Sequence, residues 1–380
     1  DFTGWRTMWV RYGYDTTGTP RPDMDTITFR APARVGTLYL DQVIVNAPMR
    51  PDHPTPDHQV PGVQPEIDLA DNYHWLALNA FEKDLARRGL PTPVITDALR
   101  ADLATLRARH LATNQGGPKP TAAMLTQYAA DVAALGVPEL TTREGRLVPA
   151  RPGAFVDGYQ TAIFPPELSK ELKAGTTPLR NYTDKMFQIA RAHEQARRLG
   201  LPQADAFGQL WLRCFVHLRD QGFAAGSAQG TIHHIGDQHR GWWDSLVLVR
   251  PVLEQAGLWQ DARADLAWFV GLGRLLQDFE NPDHYGGLVD VLNTLLLGLV
   301  TAALLMPTER EQITYLDALR RWCDRAITYS PGVQGGFKPD GSMFHHVGMF
   351  ADYGRDGLIG SAPVIGLLAG TAYQVGPDAR

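Results

Sequence analysis

Two short, glycine-containing stretches gather side chains that can move protons or grip an anion. Six of the twelve histidines, His233, His234, His239, His284, His345 and His346, fall within residues 233–346. In residues 231–243, His233 and His234 precede Arg240, Trp242 and Trp243; in residues 340–353, His345 and His346 precede Tyr353. A histidine seven residues before a tyrosine supplies two proton-transfer groups. Imidazole titrates near neutrality, whereas a phenol needs a positive environment before it can act as a base. Trp242 and Trp243 beside Arg240 offer flat apolar faces and a fixed cation, suited to a sugar ring with an anionic substituent. The set points to a charged carbohydrate.

Other readings compete for the same residues. A doubled tryptophan at a helix start is commonly a core anchor. His345 can serve as a satisfied surface or capping histidine, and Phe344 and Phe350 as packing residues. A zinc site is disfavoured, because His233 and His239 lack the i, i+4 spacing of a helical ligand pair and neither HExxH nor a cysteine pair is present.

The elements that must position these groups change character near residue 60. Before it, runs such as Thr26, Ile27, Thr28 and Phe29, and residues 38–45, are rich in β-branched and aromatic side chains between Pro, Gly and Asp, predicting a small all-β piece. Pro48, Pro51, Pro54, Pro56 and Pro61 suit an extended connector. From about Glu66 the apolar period turns helical: Trp75, Leu78, Phe81 and Leu85; Tyr182, Met186 and Ile189; Leu292, Leu295, Leu296 and Leu299. Gly89 with Pro91, and Gly200 with Pro202, read as helix stops. Helices in such number must pack in layers, and the lack of a clean repeat favours a toroid over a solenoid.

The 380 residues allow about two and a half domains at roughly 150 residues each. With 36 basic and 41 acidic residues the net charge is −5, which lacks the positive excess that nucleic acid or an anionic membrane attracts. The best apolar run, residues 295–306, is short of the roughly 20 residues a span requires and predicts a buried helix. Two cysteines, Cys214 and Cys323, are too few for a disulfide scaffold. The first residues have no signal-peptide layout and suggest a folded domain already under way.

Certain of these residues match a known pattern. Residues 220–227 followed by His233, His234, Arg240 and Trp242, then Asn181, Tyr182 and Thr183 with Met186, Phe187 and Arg191, resemble chondroitin ABC lyases, bacterial enzymes among the family-eight polysaccharide lyases of the hyaluronate lyase superfamily. Asp340 and Gly341 leading to His346, Gly348 and Tyr353 resemble that family's catalytic segment. Gly4, Trp5 and Arg6, residues 27–32, and Tyr39, Leu40 and Asp41 resemble the second half of its N-terminal jelly roll.

The resemblance implies a mainly α fold: an incomplete (α/α) toroid over residues 66–380, a Pro-rich linker over 48–65, and over 1–47 the C-terminal part of a jelly-roll domain. It implies β-elimination of chondroitin or dermatan sulfate beside the uronic acid, with Tyr353 as general acid, and as base for one uronate epimer, and His346 as base for the other. His233, His234, Arg240, Trp242, Trp243, His345 and Asn293 would bind substrate. No cofactor is required for the chemistry; Asp41 resembles a ligand for a structural calcium or magnesium in the jelly roll. The partner is a sulfated glycosaminoglycan, with neither nucleic acid nor membrane. A monomer, secreted or periplasmic, is expected.

Departures qualify the expectation. The position before the catalytic histidine, commonly Arg in the family, is His345, and Ile235 and Asp237 stand where aromatic residues are expected. The family's Arg and Glu further downstream have no match after Tyr353, where Arg355 and Arg380 occur but no Glu. On this reading the chain is an internal portion of a longer protein. The alternative is a non-catalytic glycosaminoglycan-binding protein on the same scaffold.

Overall fold

The computed structural model describes residues 17–19, 26–30, 40, 70–157, 176–227, 230–231, 235–277, 288–330, 332, 335–345 and 348–377, with the side chains of 70–76 excepted. The linker over 48–65, Asp41 and most of the proposed jelly roll lie outside the described residues. Thr26 to Arg30 are described; they carry no strand, and Ile27 and Phe29 are half exposed.

Helices dominate what is described. Three come first: α1 (Ala70–Arg88), α2 (Asp97–Asn114) and α3 (Ala122–Ala134). The antiparallel pair β1 (Leu140–Arg143) and β2 (Arg146–Pro149) and the parallel pair β3 (Phe155–Asp157) and β4 (Thr176–Pro178) follow. Next are α4 (Leu179–Arg198), α5 (Ala204–Asp220), α6 (Ile235–Gln255) and α7 (Trp259–Phe269). A short helix α8 (Leu288–Asp290) runs through a π turn (Val291–Leu295) into α9 (Leu296–Leu304), and α10 (Glu309–Ile327) follows. The chain then forms a small antiparallel sheet, β5 (Gly336–Phe337), β6 (Met343–His345) and β7 (Gly348–Met349), and ends on α11 (Ala351–Leu368).

Local chemistry accounts for the helix ends. Thr96 and Thr121 accept the N–H of Leu99 and Met124 at the starts of α2 and α3, and Thr308 and Glu311 form a reciprocal capping box on α10. Gly200, at φ +64°, ends α4, and the N–H of Leu201 reaches back to the Ala196 carbonyl at 2.9 Å.

The apolar stripes face inward as their spacing predicts. Tyr182, Met186 and Ile189 of α4 are fully buried, as are Leu292 and Leu299. Leu296 to Leu304 is a core helix, which is the outcome expected for the apolar run at 295–306. Among the described residues no helix is long and apolar enough to cross a membrane.

Helix crossings are closest at glycines. A Cβ on Gly241 would lie 2.2 Å from the Thr183 carbonyl oxygen, so α4 and α6 touch backbone to backbone. The Thr183 hydroxyl donates across the same crossing to the Gln238 carbonyl at 2.7 Å. At the far end of α11, Arg109 of α2 donates to the carbonyls of Leu367 and Ala369, satisfying acceptors the helix leaves open.

Candidate functional site

The segment from β5 to the start of α11 is built by turn chemistry. Asp340 accepts both the backbone N–H and the hydroxyl of Ser342, and Lys338 and Ser342 pair across the turn. The bonds from Ser342 hold the exposed Asp340 carboxyl below its ordinary pKa. The Asp340 and Gly341 motif therefore shapes the hairpin. Gly336 pairs with Phe344, Phe337 with Met343, and His345 with Gly348. Lys338 is buried, with Nζ donating to the carbonyl and hydroxyl of Ser330 and lying 4.8 Å from the Phe344 ring centre.

Tyr353 stands in the first turn of α11, half-buried. Its ring centre lies 4.2 Å from that of His345, the planes tilted by 51°. Phe350 meets the same phenol edge-on at 5.7 Å. His345 is 3% exposed, and its Nε2 lies 3.7 Å from Oδ2 of Asp290, at the end of α8. His345 is thus neither a surface nor a capping residue. His346 lies outside the described residues.

Two glycine contacts bring the remaining elements to this end. A Cβ on Gly360 of α11 would meet the Asn293 Cα at 2.3 Å, which seats α11 against the π turn. A Cβ on Gly236 would meet the Thr294 carbonyl oxygen at 2.2 Å, which seats the start of α6 on the turn's other side. The Thr294 hydroxyl bonds back to the Asp290 carbonyl at 2.8 Å within the turn. Single π turns often occur at functional sites. Here one carries Asn293, partly buried, directly after Asp290.

His233 and His234 lie outside the described residues, but the chain leading to them is pinned by three side chains. Asp265 accepts the Ala225 N–H at 2.9 Å, Trp268 donates to the Ser227 carbonyl at 3.1 Å, and His239 Nε2 bonds the Gly230 carbonyl at 3.2 Å. Burial pushes the Asp265 carboxyl up to about 7, while Arg219, 3.0 Å away, and the Ala225 N–H pull it down.

The two indoles overturn one expectation. Trp242 and Trp243 are 2% and 0% exposed, so neither has a face for a sugar. Trp242 Nε1 donates to His239 Nδ1 at 2.9 Å. Trp243 stacks on the His239 ring at 5.7 Å, and Phe269 stacks at 4.1 Å. Burying such large apolar surfaces inside α6 is worth more than presenting them to water. His239 is the polar centre of this cluster. Burial lowers its pKa to about 3 against the pull of the Gly230 carbonyl, so the ring is neutral, with its hydrogen on Nε2.

Arg240 reaches the surface. Its side chain is 43% exposed and pairs with Asp237 at 3.4 Å. It also opposes the burial that raises the Asp244 carboxyl to about 7, as does Arg191. The cation is therefore surface-accessible but flanked by carboxylates on its own helix.

The structure thus packs Tyr353 against His345, seats α11 on the π turn that carries Asn293, and places Trp242 and Trp243 in the core. Asp290 was not foreseen: its partner His345 is remote in sequence, and no local spacing marks the pair. Among the described residues no cluster of three or more His, Cys, Asp or Glu is placed to hold a metal, and Asp41 lies outside them. Two surface hollows, of about 310 and 250 Å³, are lined by Pro138, Arg151 and Arg213 and by Thr92, Arg310 and Tyr315 among others, none a residue of this site.

Comparison with known proteins gives a family. The model "Lyase, catalytic" matches residues 91–380, and "Lyase, N terminal" matches residues 1–62. A chondroitin sulfate ABC exolyase of Bacteroides thetaiotaomicron is 29% identical over 381 residues, covering 99% of this chain and 36% of that protein. A chondroitin sulfate ABC endolyase of Proteus vulgaris is 26% identical over 412 residues, covering 99% of this chain and 38% of its own length. The chain spans little more than a third of these relatives. With most of its length matched by the catalytic model, and Tyr353 held against His345 where the hairpin meets α11, the chain belongs to the lyase family of these proteins and is chondroitin sulfate ABC lyase-like.

Proposed function

We propose that the protein cleaves chondroitin or dermatan sulfate-type glycosaminoglycans by β-elimination at the uronic acid, leaving 4,5-unsaturated ends. The observation that carries this reading is the packing of Tyr353 under His345, with His346 next in sequence. The C5 proton of a uronate is weakly acidic, so its removal requires the neighbouring carboxylate to be neutralised as negative charge develops. A base takes that proton, the C4–O4 bond breaks, and an acid protonates the departing oxygen. In this scheme Tyr353 is the acid, and for one uronate epimer the base as well, while His346 is the base for the other. In the same scheme Asn293, Arg240, His233 and His234 would contact the substrate's carboxylate and sulfate groups, while His345, 3% exposed, supports Tyr353 from within.

A toroid of the helices over 66–380, a jelly-roll segment over 1–47 and secretion to the periplasm or beyond complete the proposal. No cofactor enters the chemistry. Any structural calcium or magnesium would belong with Asp41. The net charge of −5 means that a polyanion must be drawn to local cations such as Arg240. Incubation of the full-length natural protein with chondroitin sulfate tests the reading through the ultraviolet absorbance of the unsaturated product. Tight binding with no product would favour a carbohydrate-binding role.

A further inference from the structure

We infer that Asp290 is a positioning residue of this site: its carboxylate, 3.7 Å from Nε2, orients the His345 imidazole against the phenol ring of Tyr353 and favours the charged form of that imidazole. The inference rests on the lyase reading for its kinetic consequence but not for the contact itself.

The geometry comes from three elements that are remote in sequence. Asp290 closes α8 and enters the π turn, His345 ends β6, and Tyr353 begins α11. The His345 Nε2 to Asp290 Oδ2 distance of 3.7 Å is that of a charge pair, and the carboxylate is only 27% exposed. An opposite charge this close favours the imidazolium, whereas burial of His345 opposes it. Among the described residues, two other cations near the hairpin have partners of their own. Lys338 bonds Ser330, and on α11 Arg355 pairs with Asp352 at 3.5 Å and Asp356 at 2.9 Å.

An imidazolium beside a phenol stabilises the phenolate, the form Tyr353 takes on after giving up its proton to the leaving oxygen. Because Asp290 acts through His345, its loss should change turnover rather than substrate affinity. The π turn gives Asp290 its aim: Thr294 bonds the Asp290 carbonyl and Gly360 packs on Asn293, so the carboxylate is carried on the surface that seats α11.

The test has two arms. In the chain labelled with 15N at histidine, the His345 signal, assigned by its loss in His345→Gln, should titrate about one pH unit lower in Asp290→Asn than in the parent. Asp290→Glu, which keeps the charge, should restore the midpoint. In the full-length protein, Asp290→Asn should lower kcat about ten-fold with KM within about two-fold, and Asp290→Glu should recover most of it. An unchanged His345 midpoint, or a loss confined to KM, overturns the proposal. Absence of unsaturated product from the parent protein would defeat the lyase reading alone, and the titration would still decide the Asp290 and His345 pair.

Discussion

Gly360 of α11 lies so close to Asn293 of the π turn that a methyl group there would sit 2.3 Å from the Asn293 Cα. This contact sets where α11 begins, and therefore where Tyr353 stands. A Gly360→Ala chain should lose about 1–3 kcal/mol of stability through overpacking, read as a lower urea midpoint. In the full-length protein its turnover should fall with it, because α11 must shift to make room.

Tyr353 touches His345 and Phe350 through its ring, while its hydroxyl is the group required by the chemistry. Tyr353→Phe keeps the ring and removes the hydroxyl. Thermal unfolding should change little, and turnover should drop about 100-fold or more, the usual contribution of a general acid. Full activity in this variant would remove Tyr353 from its role.

Trp243 separates a core role from a cleft role. Trp243→Ala should cost about 3–5 kcal/mol in chemical denaturation, as expected for a fully buried indole. At temperatures where the full-length variant stays folded, its KM should match the parent. A raised KM with unchanged stability would return this residue to the cleft.

Acid should destabilise the protein through its buried histidines. Burial lowers His239 to about 3 and both His110 and His217 to about 4. Unfolded, each takes up a proton near pH 6.5, whereas the folded chain does not. Their contribution is complete above about pH 6.5 and is lost as the pH falls towards 4 and below. Urea midpoints should decline through this range, and His239→Gln, though less stable at pH 7, should decline less steeply.

Much of the helical frame was legible because burial imposes a period. Tyr182, Met186 and Ile189 announced α4, and the leucines at 292, 295, 296 and 299 announced a buried helix. The π turn within that second run was hidden, since one extra residue scarcely disturbs a stretch that is apolar on every side. Trp242 and Trp243 misled for a related reason: residue type shows that an indole can stack on a sugar, but only packing shows that Trp243 is already stacked on His239 and that both indoles are buried. His346 and Tyr353 drew attention through their spacing. Asp290 did not, because its partner His345 is 55 residues away and only the folded hairpin brings them together.

The central claim is elimination at a uronate, and its direct measure is absorbance near the ultraviolet band of the 4,5-unsaturated product when the full-length natural protein is mixed with chondroitin sulfate. The account predicts a steady rise that is abolished in Tyr353→Phe. A flat trace from the parent protein, with the polymer bound but uncut, would contradict it.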